Sequence, residues 1–279
     1  MKRQALSAIP LEAPVQQDAF DLIQTLLDAL RDADETLQHG DILAISSKYA
    51  AIAEGRIVRL ADIAISPQAA AIAERYQMIP AIVELVLSQA DHVFGGIPGF
   101  LLTYKDGILS PNAGIDRSNI PPGNAVLFPA NPYATAAAIR AALHDRLTVS
   151  VGVILTDSWL MPGRIGSTGV ALATAGFAPV SDERGMTDLF GNKMQVTRRS
   201  ITDQICAAAQ LVMGERDEAT PFVIVRGTGV AMTDAAFSAA DVAIAWQQCI
   251  YVQSLTAGLL NPSSETAEPA APGIGRIVS

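Results

Sequence analysis

The 279-residue sequence has few of the residues that mark disulfide-rich or zinc-binding proteins. It contains two cysteines, Cys206 and Cys249, in no CxxC pattern, and three scattered histidines. We therefore expect neither a disulfide framework nor a histidine-rich zinc site, and a reducing cytoplasm is the expected compartment. Aromatic residues make up only 5% of the chain, so alanine and aliphatic side chains must build the core.

Basic residues and long apolar runs are also scarce. The chain has 19 lysines and arginines against 28 acidic residues, a net charge of −9, which argues against a nucleic-acid partner. No apolar run approaches the roughly 18 residues of a membrane span, and the basic start is not followed by a long apolar segment. We expect no membrane helix and no secretory signal. A hydrophobic content of 50% predicts a globular protein with a large core.

Hydrophobic periodicity predicts helices and short strands in mixed order. The predicted helices cover 18–38, 66–78, 80–88, 135–143, 202–213 and 234–260, and the last of these could break near 248. The predicted strands cover 41–45, 55–60, 147–155 and 222–226. Lys105-Asp106-Gly107 is a hairpin turn signal, and the segment 261–279, rich in Pro, Ser and Ala, is predicted to be a mobile tail.

The segment Asn112-Ala-Gly-Ile-Asp-Arg-Ser-Asn119 combines small residues with charged and polar ones before a Pro-Pro-Gly turn. A structural loop needs one or two side-chain-capped turns, which would explain only part of this polarity. Asp116 and Asn119 carry the oxygen ligands that hard cations prefer. Taken alone, the segment fits a functional loop and a structural loop about equally.

Asp157-Ser158 directly follows the apolar segment VSVGVILT, 149–156, part of a strand that we predict to be buried and to end at Thr156-Asp157-Ser158. Carboxylates at the carboxyl end of a buried strand commonly face a crevice, where Asp157 could hold a divalent metal ion. The alternative is an ordinary cap of a turn or helix.

The glycines at Gly163, Gly166 and Gly169 form a GxxGxxG pattern, which is neither a Rossmann fingerprint nor a P-loop. We interpret them as a close-packed turn whose backbone amides could cradle an anion. The segment Met213–Arg216 has a glycine and then an acid where a helix ends, and by itself it favours an ordinary C-cap.

Taken in order, these segments resemble one family. The segments are SSKYAAIAEGR, NAGIDRSNIPPG, LTDS with PGRIGSTGVALATAG, DERGMTDLFG and LVMGE. They are similar to the coenzyme F420-0:L-glutamate ligases, the γ-glutamyl ligases of a deazaflavin coenzyme, over roughly residues 9–235. The resemblance implies an α+β fold of two domains with mixed and antiparallel sheets, unrelated to Rossmann, P-loop and ATP-grasp folds.

The resemblance also implies an activity. The family uses GTP to activate the terminal carboxylate of the coenzyme precursor as an acyl phosphate, which the amine of L-glutamate attacks. A second glutamate can follow through a γ-linkage. The implied cofactors are Mg²⁺ or Mn²⁺ with K⁺, the implied assembly is a homodimer, and GTP, L-glutamate and the F420 precursor are the small-molecule partners.

Residue by residue, the resemblance implies roles at the matching positions. The implied divalent-metal ligands are Asp116, Asp157, Ser158 and Glu215. The implied nucleotide contacts are Pro10, Leu11, Ser47, Lys48, Asn119, Met213, Gly214 and Arg216. Asp116 and Asp157 are then catalytic as well, and we add Arg164, because the guanidinium fork fits phosphate and carboxylate groups. Arg117 and Arg184 are further candidates for such an anion clamp.

Two departures from the family pattern bear on the substrate. Ile52 stands where the family often has a lysine before Ala-Glu-Gly, and Met161 stands where it has an arginine. These departures motivate a first alternative, a glutamate ligase for another carboxylate acceptor. A second alternative is a non-catalytic homologue that binds only the coenzyme or the nucleotide.

The same motifs suggest a division of the chain. We predict a nucleotide- and metal-binding domain made of 1–95 and 200–260, with a second domain, 96–199, inserted between the two parts and carrying the NAGIDRSN and TDS motifs.

Overall fold

The structure is a computed structural model that describes residues 5–256 of the chain. Its described residues up to Ala243 form one compact unit, and those from Ile244 onward form a second, short one. No helix within 5–256 has the length and apolar character needed to cross a membrane. The predicted mobile tail, 261–279, lies outside the described residues.

The described part of the chain folds into helices and strands in mixed order. The helices are α1 (Leu22–Asp32), α2 (Ser47–Ala53), α3 (Pro67–Tyr76), α4 (Pro80–Gln89), α5 (Pro132–Leu147), α6 (Ile201–Met213) and α7 (Ile250–Thr256). The strands are β1 (Ser7–Leu11), β2 (Ile42–Ser46), β3 (Ile57–Arg59), β4 (His92–Ile97), β5 (Phe100–Lys105), β6 (Ile108–Pro111), β7 (Asn124–Val126), β8 (Gly152–Leu160), β9 (Ser167–Ala175), β10 (Val180–Asp182), β11 (Arg198–Ser200) and β12 (Phe222–Arg226).

A five-stranded sheet in the order β1-β12-β2-β8-β9 forms the centre of the larger unit. Strands β2 and β8 run parallel, and every other neighbouring pair in this sheet is antiparallel. The expected α+β fold with mixed and antiparallel sheets is therefore confirmed. The parallel pairing of β2 with β8 ends where Ser46 lies opposite Thr156.

Both faces of the central sheet are covered by helices, which explains why its strands are apolar. Side chains of a strand alternate between the two faces. In β2, Leu43 and Ile45 belong to the core cluster that includes residues of α1 and α5, whereas Ile42 and Ala44 pack with α6. Strand β2 therefore reads as a continuous apolar run without a polar face.

A second core lies under α3 and α4, beside the three-stranded sheet β4-β5-β6. Helix α3 begins as its sequence predicts: the Ser66 hydroxyl accepts a hydrogen bond from the Ala69 amide, and Pro67 occupies the first turn. The predicted hairpin turn is confirmed, because Lys105 pairs with Ile108 across a two-residue loop. Asp106 and Gly107 both have positive φ, as a type I′ turn requires.

Two predicted elements need correction. Strand β8 does not end at Thr156-Asp157-Ser158 but continues to Leu160, because its antiparallel partner β9 pairs with it that far. The described residues of 234–260 are mostly not helical. Ser238 and Asp241 form a capping box around one 3-10 turn, Trp246–Gln248 forms a second 3-10 turn, and α7 begins only at Ile250.

The strand pairing does not separate 96–199 from the rest of the chain as the predicted inserted domain would require. Strands β8 and β9 come from that range, yet they complete the central sheet with strands from both flanking segments. The reason is burial: β8 is buried from Gly152 to Thr156, so it needs neighbours in the sheet and helices on its faces. The TDS motif thus belongs to the central sheet, whereas the NAGIDRSN motif follows β6 in the smaller one.

Candidate functional site

A cavity of about 840 Å³ opens at the carboxyl ends of the parallel strands β2 and β8. This edge is where α/β sheets usually place ligand-binding residues, because loops leave both strands there in the same direction. Ser46 and Lys48 line the cavity from the end of β2, and Asp157 and Ser158 line it from β8. The NAGIDRSN loop contributes Asp116 to the lining.

The loop that carries Asp116 is fixed by its backbone. The Asn112 side chain accepts a hydrogen bond from the Leu101 amide at 2.9 Å, and Ala113 has a φ of 52°. Gly114 follows at a point where an added Cβ would lie 1.8 Å from the Phe128 ring, so only glycine fits. The Asp116 amide and carbonyl then pair with Val126, which fixes the backbone of this aspartate.

The Asp116 carboxylate is surrounded by donors. Its Oδ1 accepts the amides of Arg117 at 2.6 Å and Ser118 at 2.9 Å, and its Oδ2 accepts the Ser118 hydroxyl at 2.7 Å. Lys48 Nζ lies 2.6 Å from Oδ2. Burial opposes ionisation, but the Lys48 charge and these hydrogen bonds outweigh it and lower the pKa of Asp116. The group is therefore a fixed carboxylate at neutral pH.

Asp157 has the opposite electrostatic setting. Burial, with the nearby Asp116 charge adding to it, raises the pKa of Asp157 to about 7, against hydrogen bonds from the Ser158 amide and the Ser47 side chain. The Ser158 amide donates to Oδ1 at 2.8 Å. Two carboxylates that influence each other inside one cavity form the kind of site that a cation would stabilise.

Glu215 forms another wall of the cavity, just past the end of α6. The chain turns there at Gly214, whose φ is 74°. Glu215 Oε1 accepts three hydrogen bonds: from Ser158 Oγ at 2.7 Å, Ser167 Oγ at 2.8 Å and Gln210 Nε2 at 2.9 Å. These bonds connect the β8–β9 hairpin to the loop after α6.

The NAGIDRSN loop and the loop after α6 are also connected directly. The Asn119 side chain donates to the Arg216 carbonyl at 2.7 Å. Asn119 reaches this position with a φ of 53°, a conformation that asparagine tolerates better than most residues. Three segments far apart in sequence are thus held around one space.

The structure brings together most of the residues singled out from the sequence. The cavity is lined by Lys48, Asp116, Asn119, Asp157, Ser158, Met213, Gly214, Glu215 and Arg216. Ser47 is 2% exposed and lies behind this surface, where it hydrogen bonds to Asp157. Its neighbour Ser46 lines the cavity instead.

Three predicted site residues lie away from the cavity lining. Pro10 and Leu11 are paired within β1, opposite Val223 and Phe222, and Leu11 is completely buried. The N-terminal contribution comes from the next segment, 13–17. Arg164 lies exposed in the turn between β8 and β9, four residues beyond Leu160, which is the last residue of β8 and still lines the cavity.

The other candidate groups also have clear positions. The Arg184 guanidinium is bound to the Asp182 carboxylate at 2.5 to 3.0 Å, so it is already paired with an anion. Of the aromatic side chains, Trp159 of β8 borders the cavity but is 8% exposed, and its indole donates to the Leu109 carbonyl at 2.8 Å.

The metal-ligand assignment stays a prediction, and the structure shows only which acidic side chains lie near one another. Within residues 5–256, no three His, Cys, Asp or Glu side chains lie close enough to hold one ion together. Asp116 and Asp157 interact electrostatically, whereas Glu215 is bonded to Ser158. Two carboxylates are nevertheless the usual protein share of a Mg²⁺ site that is completed by phosphate and water oxygens. The donor set therefore fits a hard divalent cation.

Sequence reasoning missed Ser167 and Gln210, which hold Glu215. Neither residue has a local signal, since serine in a hairpin and glutamine in a helix are common at surfaces. Only the packing of α6 on β9 brings Ser167 and Gln210 near the same carboxylate.

Comparisons with known proteins identify relatives that match most of the larger unit. A family model described as F420-0:Gamma-glutamyl ligase matches residues 10–227. The chain is 37% identical over 223 residues to the coenzyme F420:L-glutamate ligase of Methanopyrus kandleri, covering 80% of this chain and 86% of that protein. The corresponding protein of Methanothermobacter thermautotrophicus is 36% identical, over 80% of this chain and 89% of its own. That of Methanosarcina mazei is 39% identical, over 68% and 75%.

Proposed function

The chain belongs to the F420-0:gamma-glutamyl ligase family and is an acid–amino-acid ligase, and we propose that it joins L-glutamate to the terminal carboxylate of the coenzyme F420 precursor at the expense of GTP. The observation that carries the proposal is the shared cavity of Asp116, Asp157 and Lys48. Its acidic and basic groups suit a reaction between a polyphosphate and a carboxylate.

The proposed reaction has two steps. The acceptor carboxylate attacks the γ-phosphorus of GTP, so that a new C–O–P linkage forms and GDP leaves. The amine of L-glutamate, once deprotonated, then attacks the acyl carbon, and inorganic phosphate leaves as the amide forms. A repeat on the new side-chain carboxylate would give a γ-linked second glutamate. Neither step requires a protein nucleophile, so the protein acts through positioning and electrostatics.

Asp116 and Asp157 would hold Mg²⁺ or Mn²⁺ in this proposal. When bound there, the ion would supply positive charge that offsets the negative charge developing on the phosphate. Asp116 is suited to this role because its backbone is paired with Val126 and its carboxylate stays ionised. Asp157 is suited because burial and the Asp116 charge disfavour its ionised form and raise its pKa. An adjacent positive charge would offset both effects.

Lys48 would then contact a phosphate of the nucleotide. Its ammonium lies beside Asp116, and its side chain is 22% exposed on the cavity wall. Ile52 lies one turn further along α2 and also lines the cavity, where it contributes an apolar side chain. This chain thus offers one lysine from α2 to the proposed nucleotide. The proposal further includes stimulation by K⁺, a homodimeric assembly and a cytoplasmic location.

The experiment is a ligation assay with GTP, Mn²⁺, L-glutamate and the F420 precursor, read by mass spectrometry. We expect a product heavier by one glutamyl residue and an equal amount of GDP. Parallel reactions with other carboxylate acceptors test the first alternative, a ligase of another acceptor. Precursor binding without any GTP turnover would favour the second alternative, a binding homologue, and would contradict the proposal.

A further inference from the structure

We propose that Ser167 and Gln210 are positioning residues that hold Glu215 by one oxygen, so that its other oxygen serves a cationic group in the cavity. The inference rests on the proposed function for the identity of that group. The cation is either the divalent metal ion or the ammonium form of the amino-acid substrate. The two share the same requirement, a fixed carboxylate oxygen.

The hydrogen bonds around Glu215 are strongly asymmetric. Oε1 accepts Ser158 Oγ, Ser167 Oγ and Gln210 Nε2, all within 2.9 Å. Among the described residues, no hydrogen bond or ion pair reaches Oε2. Glu215 is an exposed residue that lines the cavity, so Oε2 is accessible to a ligand there. Because three donors already hold one of its oxygens, the Glu215 side chain would lose little further conformational freedom when a ligand binds to the other oxygen.

The position of Gln210 depends on how closely α6 packs against β9. Gly169 of β9 makes this approach possible, because an added Cβ would lie 2.3 Å from the Cys206 carbonyl oxygen and 3.1 Å from Gln210 Cβ. Gln210 then donates both to the Gly214 carbonyl at 3.1 Å and to Glu215. One amide group thus fixes the end of the helix and the carboxylate that follows it.

Ser167 holds the same carboxylate from the hairpin. It lies opposite Leu160 in the β8–β9 ladder, and Ser158 lies opposite Gly169, two residues further along β9. The two hydroxyls are therefore presented by neighbouring strands. Ser158 also lines the cavity, whereas Ser167 reaches Glu215 from outside the lining. Ser167 therefore acts through Glu215.

The test compares Gln210→Met and Ser167→Ala with the wild type in two measurements. The first is Mn²⁺ binding to the protein alone, followed by electron paramagnetic resonance. The second is the KM for L-glutamate in the ligation assay. We expect each variant to weaken one of these about tenfold, because a hydrogen bond to a charged group is worth about 1.4 kcal/mol or more. A change in Mn²⁺ binding assigns Glu215 to the metal, and a change in the KM alone assigns it to the amine.

Matched variants separate positioning from folding. Gln204→Met makes the same change at an exposed position of α6, and Ser167→Thr keeps the hydroxyl, so both should retain wild-type values. Mn²⁺ affinity and KM within twofold of the wild type in both Gln210→Met and Ser167→Ala would overturn the inference. So would equal losses in Gln204→Met. If the wild type binds Mn²⁺ but ligates nothing, the proposed function fails, while the Mn²⁺ arm still decides the role of these residues.

Discussion

Replacing Asp157 by asparagine should make the metal-free protein more stable while removing its activity. The ionised Asp157 carboxylate is disfavoured in the fold, since burial and the Asp116 charge raise its pKa to about 7 from an ordinary value near 3.8. At 1.36 kcal/mol for each tenfold change in the protonation equilibrium, this difference corresponds to about 4 kcal/mol. Water in the adjoining cavity screens the charge, so we expect a gain of about 1 to 3 kcal/mol at pH 8.

The gain should depend on pH with a defined sign. Below pH 3.8 the carboxyl group is protonated in both the folded and unfolded states, and it imposes no penalty. Between pH 3.8 and about 7 the unfolded state loses its proton first, so wild-type stability falls as the pH rises. Above pH 7 the penalty is constant. The advantage of Asp157→Asn at pH 5.5 should therefore be about half of its value at pH 8.

Urea unfolding in the presence of EDTA, at pH 5.5 and pH 8, measures this advantage directly. Asp145→Asn is the control, because it removes an acid from an exposed position of α5 and should change stability by less than about 0.5 kcal/mol. Adding Mn²⁺ should stabilise the wild type and not Asp157→Asn. A variant that is less stable than the wild type at pH 8, or an advantage unchanged between the two pH values, would refute the reasoning.

Three further changes test other parts of the structure. Asp116→Asn should lower metal-dependent turnover at least about 100-fold in the ligation assay, with an unchanged circular dichroism spectrum. Gly169→Ala should lower the Tm and cost about 1 to 3 kcal/mol, because the new methyl group collides with the Cys206 carbonyl. Arg226→Met should cost about 3 kcal/mol in urea unfolding, because it leaves the Asp41 carboxylate, whose side chain is 2% exposed, without its charged partner. Adding Asp41→Asn to that variant should recover part of this loss, and no recovery would contradict the explanation.

Elements with a complete local signal could be predicted from the sequence. Strand β12 was predicted with both of its bounds, because an apolar run of strand length stands between polar segments. The hairpin at Asp106-Gly107 was predicted because only a few residue types accept two consecutive positive φ angles. Helix α3 carries its own N-cap in Ser66.

Elements that depend on distant partners could not be predicted in the same way. The polar residues after Leu155 resemble a strand end, yet β8 continues because β9 folds back along it. That extension moves Arg164 out to the hairpin turn. Similarly, the alanine-rich sequence after 234 has helical propensity, but its described residues form short 3-10 turns before α7.

The sequence pointed to the two aspartates that line the cavity, but it did not point to all of the residues around them. Asp116 stood out because it lies in a dense segment of polar and charged residues, and Asp157 because it follows an apolar strand, where carboxylates commonly face a crevice. The cavity confirms that they face one space. The segment 13–17 was missed in favour of Pro10 and Leu11, because the end of β1 depends on its pairing with β12.

The walls of the cavity come from stretches of chain that are separated by up to about two hundred residues, from Ala13 to Pro221. Bringing such distant segments together costs conformational entropy, because the chain between them must close into a loop. Contacts of this non-local kind form slowly during folding. A ligand that contacts several walls at once would therefore bind these distant segments to one another without a covalent bond. Its binding would hold together segments that otherwise separate on partial opening, and would protect the larger unit against proteases.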